Sequence, residues 1–246
     1  MSKRSEYQAR LRVLSSWDEY LLEHSGLPGP RANLELLQAV ADEGTAKLFR
    51  RYLTWTADRA PVNSPEEFLA CCGVVGLGRL LAEGATQPLP TLRTHATDPR
   101  WRVRESVAMA LQRLGDADLP RLLAVAVDWT AGTPLEQRAA AAAVCEPRLL
   151  AHPEAAWAVL ALLDRITVSL SQATDRRGEP FKVLRQGLAY CWSVAVAALP
   201  DEGRPLMEKW LTSIDPDVRW VMRQNLSKAR LVRVAPEWVA RWSERL

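Results

Sequence analysis

Asp98-Pro99-Arg100-Trp101-Arg102-Val103-Arg104, with Leu111 seven residues beyond Arg104, is the stretch that decides how this chain folds. Asp215-Pro216-Asp217-Val218-Arg219 follows the same plan, again with a Leu, Leu226, at plus seven, but it lacks the two residues at Trp101 and Arg102. A weaker copy is Gln137-Arg138 with Cys145 at plus seven. Asp-Pro turns the chain between two helices, because Pro tolerates only the first turn of the helix that follows it. The Val then points inward, and the Arg can reach an acidic group at a neighbouring turn. The apolar residues at plus three and plus seven lie on the face that packs on the partner helix.

Outward from these turns the whole chain reads as helix. Residues 5–24 place Tyr7, Leu11, Leu14, Trp17 and Leu21 on one face, and Gly26-Leu27-Pro28-Gly29-Pro30 breaks that helix. Asn33 caps a short helix to Gly44, and another is expected over 45–59. Ser64-Pro65-Glu66-Glu67 is the clearest start, with an N-cap hydroxyl, a Pro at the first helical position and capping-box spacing from Ser64 to Glu67. That helix runs to about Gly84, and Pro88 opens a short one ending near Asp98. Further helices are expected over 100–114, 118–130, 134–146, 153–173, 180–199, 203–213, 216–230 and 235–245. The connections are short, which places neighbouring helices antiparallel.

The Asp-Pro…Val-Arg pattern resembles the HEAT repeat family, strongly over 86–115, well over 203–230 and weakly over 118–146. The resemblance implies an all-α solenoid of stacked antiparallel hairpins over 33–246 as a single array, preceded by an N-terminal helix and Gly/Pro linker at 1–32. A single hairpin cannot bury its apolar face, so adjacent repeats must stack. The 153–199 hairpin lacks the Asp-Pro turn and departs from the pattern.

Composition fits this class. Hydrophobic residues make up 48% and charged residues 25%, enough for a packed core and too apolar for global disorder. No run approaches the length of a membrane-spanning helix, and the N-terminal residues lack a secretory pattern. Cys71, Cys72, Cys145 and Cys191 sit in apolar helical patterns as buried free thiols, which together with the rest implies a cytoplasmic protein. Gly73-Val74-Val75-Gly76-Leu77-Gly78 follows no strand and has the wrong spacing for a phosphate loop, so it reads as close helix packing. His24, His95 and His152 share no ligand spacing with each other or with Cys, so neither a metal nor a cofactor is expected. No residue is identified as catalytic.

The net charge is only +3, but 216–246 carries seven basic and three acidic residues. Arg219 and Arg223 lie one turn apart on the expected 216–230 helix, with Arg230 about two turns further on. Lys228 and Arg233 flank the stripe, and Trp220 lies beside it. Lys182 and Arg185, one turn apart, extend the surface if the second helix of each hairpin lines the groove, as in HEAT arrays. Such cations hold phosphates, and a nearby Trp can stack on exposed bases. The alternative is that Arg219 is the structural Arg of the repeat and the other cations are solvated. Arg219-Trp220-Val221-Met222-Arg223-Gln224-Asn225-Leu226 is also similar to segments of the HEAT-like DNA alkylation-repair glycosylases. That resemblance implies a basic groove with aromatic and acidic side chains; Trp101, Trp192 and Trp220 are the candidates for groove-facing aromatics, and core packing is the favoured alternative for each. The expected function is therefore a non-catalytic binding module whose groove takes a protein or nucleic acid. A DNA-binding glycosylase is the alternative.

Overall fold

The first helices are set by their caps. In a computed structural model of the chain, which describes residues 2–245, the Asn33 side chain accepts the Leu36 N–H and opens α3 (Leu34–Glu43). Ser64 accepts the Glu67 N–H and opens α5 (Pro65–Ala82) with Pro at its first position. The box at Ser64 is not reciprocal: the Glu67 carboxylate accepts the Asn63 N–H instead, at 2.8 Å. The described residues form an all-α protein of fifteen α-helices and one short 3-10 turn, with no strand. The chain packs as two compact units, Met1–Asp118 and Leu119–Leu246.

In the first unit α1 (Lys3–Val13), α3, α5 and α7 (Trp101–Ala117) pack side by side in that order. The helices between them, α2 (Asp18–His24), α4 (Ala46–Tyr52) and α6 (Pro88–His95), all pack on α5. The glycines of α5 make these contacts possible. A Cβ on Gly76 would lie 2.2 Å from the Phe49 ring, and one on Gly78 would lie 2.4 Å from the Ala110 carbonyl. The expected packing role of 73–78 is thus what the structure shows. All four cysteines are buried and free.

In the second unit α9 (Pro134–Val144), α11 (Glu179–Ala198) and α13 (Pro216–Leu226) form one layer. α8 (Leu119–Trp129), α10 (Pro153–Ser171) and α12 (Pro200–Leu211) pack behind it. α14 (Ala229–Val234) and α15 (Pro236–Ser243) close the end. Apolar burial follows the sequence pattern. Val103 and Val218, Val107 and Met222, and Leu111 and Leu226 are all buried.

Three expected helices are each broken or shortened, and in each a side chain competes for a main-chain carbonyl. The 5–24 helix splits because the Leu11 carbonyl, which a continuous helix gives to Ser15, accepts the Leu14 N–H and the Trp17 indole N–H. The 45–59 helix ends at Tyr52, where the Thr54 hydroxyl and N–H both turn back to the Arg51 carbonyl. The 216–230 helix splits into α13 and α14 at Lys228, which is extended, after the Ser227 hydroxyl has taken the Gln224 carbonyl. In the other direction, α7 runs through the buried Gly115 to Ala117.

The Asp-Pro turns are built alike. Asp98 and Asp215 each accept the N–H two residues on, at 2.8 and 2.9 Å. Arg104 is buried and donates to the carbonyls of Asp98 and Pro99, closing its own turn. Arg100, which the pattern did not single out, goes deeper. It forms a two-pronged pair with Asp98 and also donates to the carbonyls of Trp55 and Ala60. Arg219 is half-buried and engaged with neighbours.

Acid should weaken the first unit. The Arg51 guanidinium and the Tyr52 hydroxyl hold the Asp18 carboxyl below its ordinary range against partial burial. Burial pushes the Asp42 and Asp98 carboxyls up, but the guanidinium groups of Arg4 and Arg113, and of Arg100, outweigh it and leave both low. A carboxyl with a depressed folded value stabilises the fold above its unfolded value, about 3.9 for Asp, and loses that contribution as pH falls below it. Thermal melts are therefore expected to be flat near neutrality and to drop steeply below about pH 4. A melting temperature unchanged between pH 7 and pH 3 would contradict this.

Candidate functional site

The residues that assemble the candidate site come from α11, α13 and α14. Residues 180–198 and 218–234 contain no Asp or Glu, yet carry Lys182, Arg185, Arg219, Arg223, Lys228, Arg230 and Arg233. α11 packs on both α13 and α14, so these two acid-free segments are neighbours in space. The joint between α11 and α13 is a buried side chain, Asn225. Its Oδ1 accepts the Ser193 N–H at 2.8 Å, and its Nδ2 donates to the carbonyls of Leu188 and Val221, both at 2.8 Å.

Two of the expected cations are laid on rings. The Arg185 guanidinium sits 4.0 Å from the centre of the Trp220 ring. Its Nε is 3.1 Å from the Asp217 carboxylate, but the N–H is not aligned on it, so the contact is an ion pair and not a hydrogen bond. The Arg230 guanidinium lies 4.4 Å over the Tyr190 ring and donates to the Tyr190 hydroxyl. A stacked guanidinium is held in place and keeps N–H edges for an oxyanion. Lys182 and Arg233 are exposed and Lys228 is half-exposed, and none of the three forms an ion pair among the described residues. Arg219 and Arg223 are engaged within the chain.

The sequence reading is corrected in one respect. Arg219, Arg223 and Arg230 do not form one helical stripe, because the break at Lys228 puts Arg230 on a separate helix, against Tyr190. Trp192 takes the core alternative and not the groove. It is fully buried and donates to the Thr167 hydroxyl at 3.0 Å. Two participants were missed. Tyr190 is an exposed ring inside an apolar helix pattern, and only tertiary packing reveals its role. Arg176, in the loop before α11, reaches Asp215 at 2.7 Å and Asp217 at 3.0 Å. It was legible only as one of two arginines in a loop.

These contacts decide the chemistry. Asp215 and Asp217, at the start of α13, are both tied to Arg176. Partial burial alone would raise the Asp215 carboxyl. The Arg176 guanidinium and the Val218 and Asp217 N–H groups outweigh it and hold the carboxyl below its ordinary range. Neither carboxylate lies free between aromatic rings, and one face of Trp220 is already covered by Arg185. Among the described residues no three His, Cys, Asp or Glu side chains gather as metal ligands, and no helix is long and apolar enough to cross a membrane. The chain matches no protein-family model, no curated protein and no solved structure.

Proposed function

We propose that the chain is a non-catalytic binding module of HEAT-like helical hairpins, which holds an anionic macromolecular partner on the α11–α13–α14 surface. The observation that carries this reading is the pairing of two acid-free, cation-bearing segments through α11, with two guanidinium groups already set on rings. The HEAT-like assignment is supported by the matching turns at Asp98 and Asp215 and by burial at the same steps after each turn. It is also supported by the layer of α9, α11 and α13, the helices that line the groove in such stacks.

Binding to duplex DNA at varied salt tests the reading. The expected result is weak, sequence-independent binding whose log–log salt slope flattens by about 0.9 for each phosphate contact removed. The informative variant is Lys182→Ala with Lys228→Ala and Arg233→Ala, since these side chains hold no ion pair among the described residues. Wild-type protein with no affinity at about 50 mM salt would turn the reading toward an acidic protein partner. If the triple variant binds as well as wild type, the surface is misplaced. An alkylated base in the same duplex tests the glycosylase alternative, which requires release of that base.

A further inference from the structure

The surface of α11, α13 and α14 is not only cationic. Tyr190 stands 44% exposed on α11, and on α14 the exposed Arg233 lies between Val232 and Val234, which are themselves exposed. A duplex meets a cationic surface mainly with phosphates and sugars, because its bases are stacked inside. It leaves open rings and methyl groups unused. A partner that carries flat apolar faces beside its negative charges uses both kinds of surface.

The rings are set for such a partner. Arg230 of α14 lies 4.4 Å from the centre of the Tyr190 ring and donates to its hydroxyl, yet the ring stays partly open. Trp220, half-buried on α13, carries Arg185 of α11 at 4.0 Å. Each ring thus sits where α11 meets another helix, with a guanidinium fixed against it. The main chain on either side of Tyr190 is fixed as well. The Leu188 carbonyl and the Ser193 N–H are both held by the buried Asn225. A platform positioned before binding loses little freedom when it is used. In a single strand, unstacked bases supply flat faces next to phosphates, and they stack on exposed aromatic side chains whatever the sequence.

We infer that this surface binds single-stranded nucleic acid in preference to duplex, with a base stacked on Tyr190 and phosphates at Lys182, Lys228 and Arg233. The inference rests on the proposed anion-binding role of the same surface and adds the form of the anion. Phosphate contacts supply the salt-dependent part of the affinity, and stacking supplies a part that salt does not screen.

Fluorescence anisotropy at about 50 mM salt tests it on the full chain, with labelled oligothymidine, an abasic strand and a duplex of the same length. The abasic strand keeps the phosphates and the flexibility but has no bases. Oligothymidine is expected to bind about tenfold tighter than either. Tyr190→Leu keeps an apolar side chain and removes the ring. It should bind oligothymidine about fivefold more weakly, with an unchanged salt slope because no charge is lost, and should bind the abasic strand as wild type does. Tyr190→Phe keeps the ring and should bind as wild type. Thermal melts check that both variants are folded, and the comparison of strands on the wild type needs no variant. If the abasic strand or the duplex binds as tightly as oligothymidine, the inference is overturned and the anion-binding role stands. A folded Tyr190→Leu that binds oligothymidine as wild type does overturns the stacking on Tyr190. Binding of labelled polyglutamate without binding of oligothymidine overturns the inference in favour of an acidic protein. Binding of none of these probes overturns the inference together with the role it rests on.

Discussion

Arg102→Ala is expected to destabilise Met1–Asp118 by about 3–5 kcal/mol, because it strands a buried charge. Glu67 has no exposed surface, and its Oε2 is shared by Arg102 at 3.2 Å and the Asn63 N–H at 2.8 Å, while its Oε1 has no partner. Without the guanidinium the carboxylate keeps a single donor. Arg102 also ties the Gly29 carbonyl at 2.7 Å and the Asn63 side chain to α7. Asn63 is held in a left-handed backbone conformation, φ 67°, and its Oδ1 also accepts the Gly29 N–H, so one side chain fixes two loops. The loss is expected to be mainly a penalty for the unpaired partner and not the worth of the pair. Adding Glu67→Gln should therefore recover part of it. Urea unfolding of the single and double variants, with hydrogen exchange assigning the change to the first unit, makes the comparison. An Arg102→Ala midpoint equal to wild type would show that Glu67 is satisfied without its partner.

Local chemistry made much of this architecture legible before any coordinates. Asn33 and Ser64 were readable as caps because a cap needs only a short polar side chain and an N–H three residues on. The Gly-rich stretch of α5 was readable because small residues in an apolar helix mark close approach. The failures share another physics. Trp17, Thr54 and Ser227 each spend a side-chain or turn bond on a carbonyl that helical periodicity assigns to the helix. Apolar spacing is blind to that competition. In the site, Arg185 and Trp220 were both named, and the fold stacks one on the other. Arg176 was not named, because its partners lie 39 and 41 residues away and no spacing links a loop arginine to a distant cap. Arg102 was counted as an extra residue of the turn, whereas its partner Glu67 lies 35 residues back.

The second large effect is expected at Asn225. Asn225→Ala should cost about 3 kcal/mol, since it removes three hydrogen bonds and leaves main-chain groups of α11 buried without them. The Asn225 side chain has no exposed surface, and it is a buried polar bridge between α11 and α13. Asn225→Asp should be worse. It keeps an acceptor for the Ser193 N–H, but it replaces the donor to the Leu188 and Val221 carbonyls with a charge that burial disfavours. Urea unfolding measures both, and exchange of the Ser193 amide reports the lost bond directly. An alanine variant within about 0.5 kcal/mol of wild type would mean that the two helices repack around the gap. The same variant separates stability from binding. Asn225 lies behind the cations and carries no charge, so it removes no phosphate contact. Any affinity it costs should appear as a smaller folded fraction with an unchanged salt slope, whereas loss of Lys182, Lys228 and Arg233 should flatten the slope in a fully folded protein.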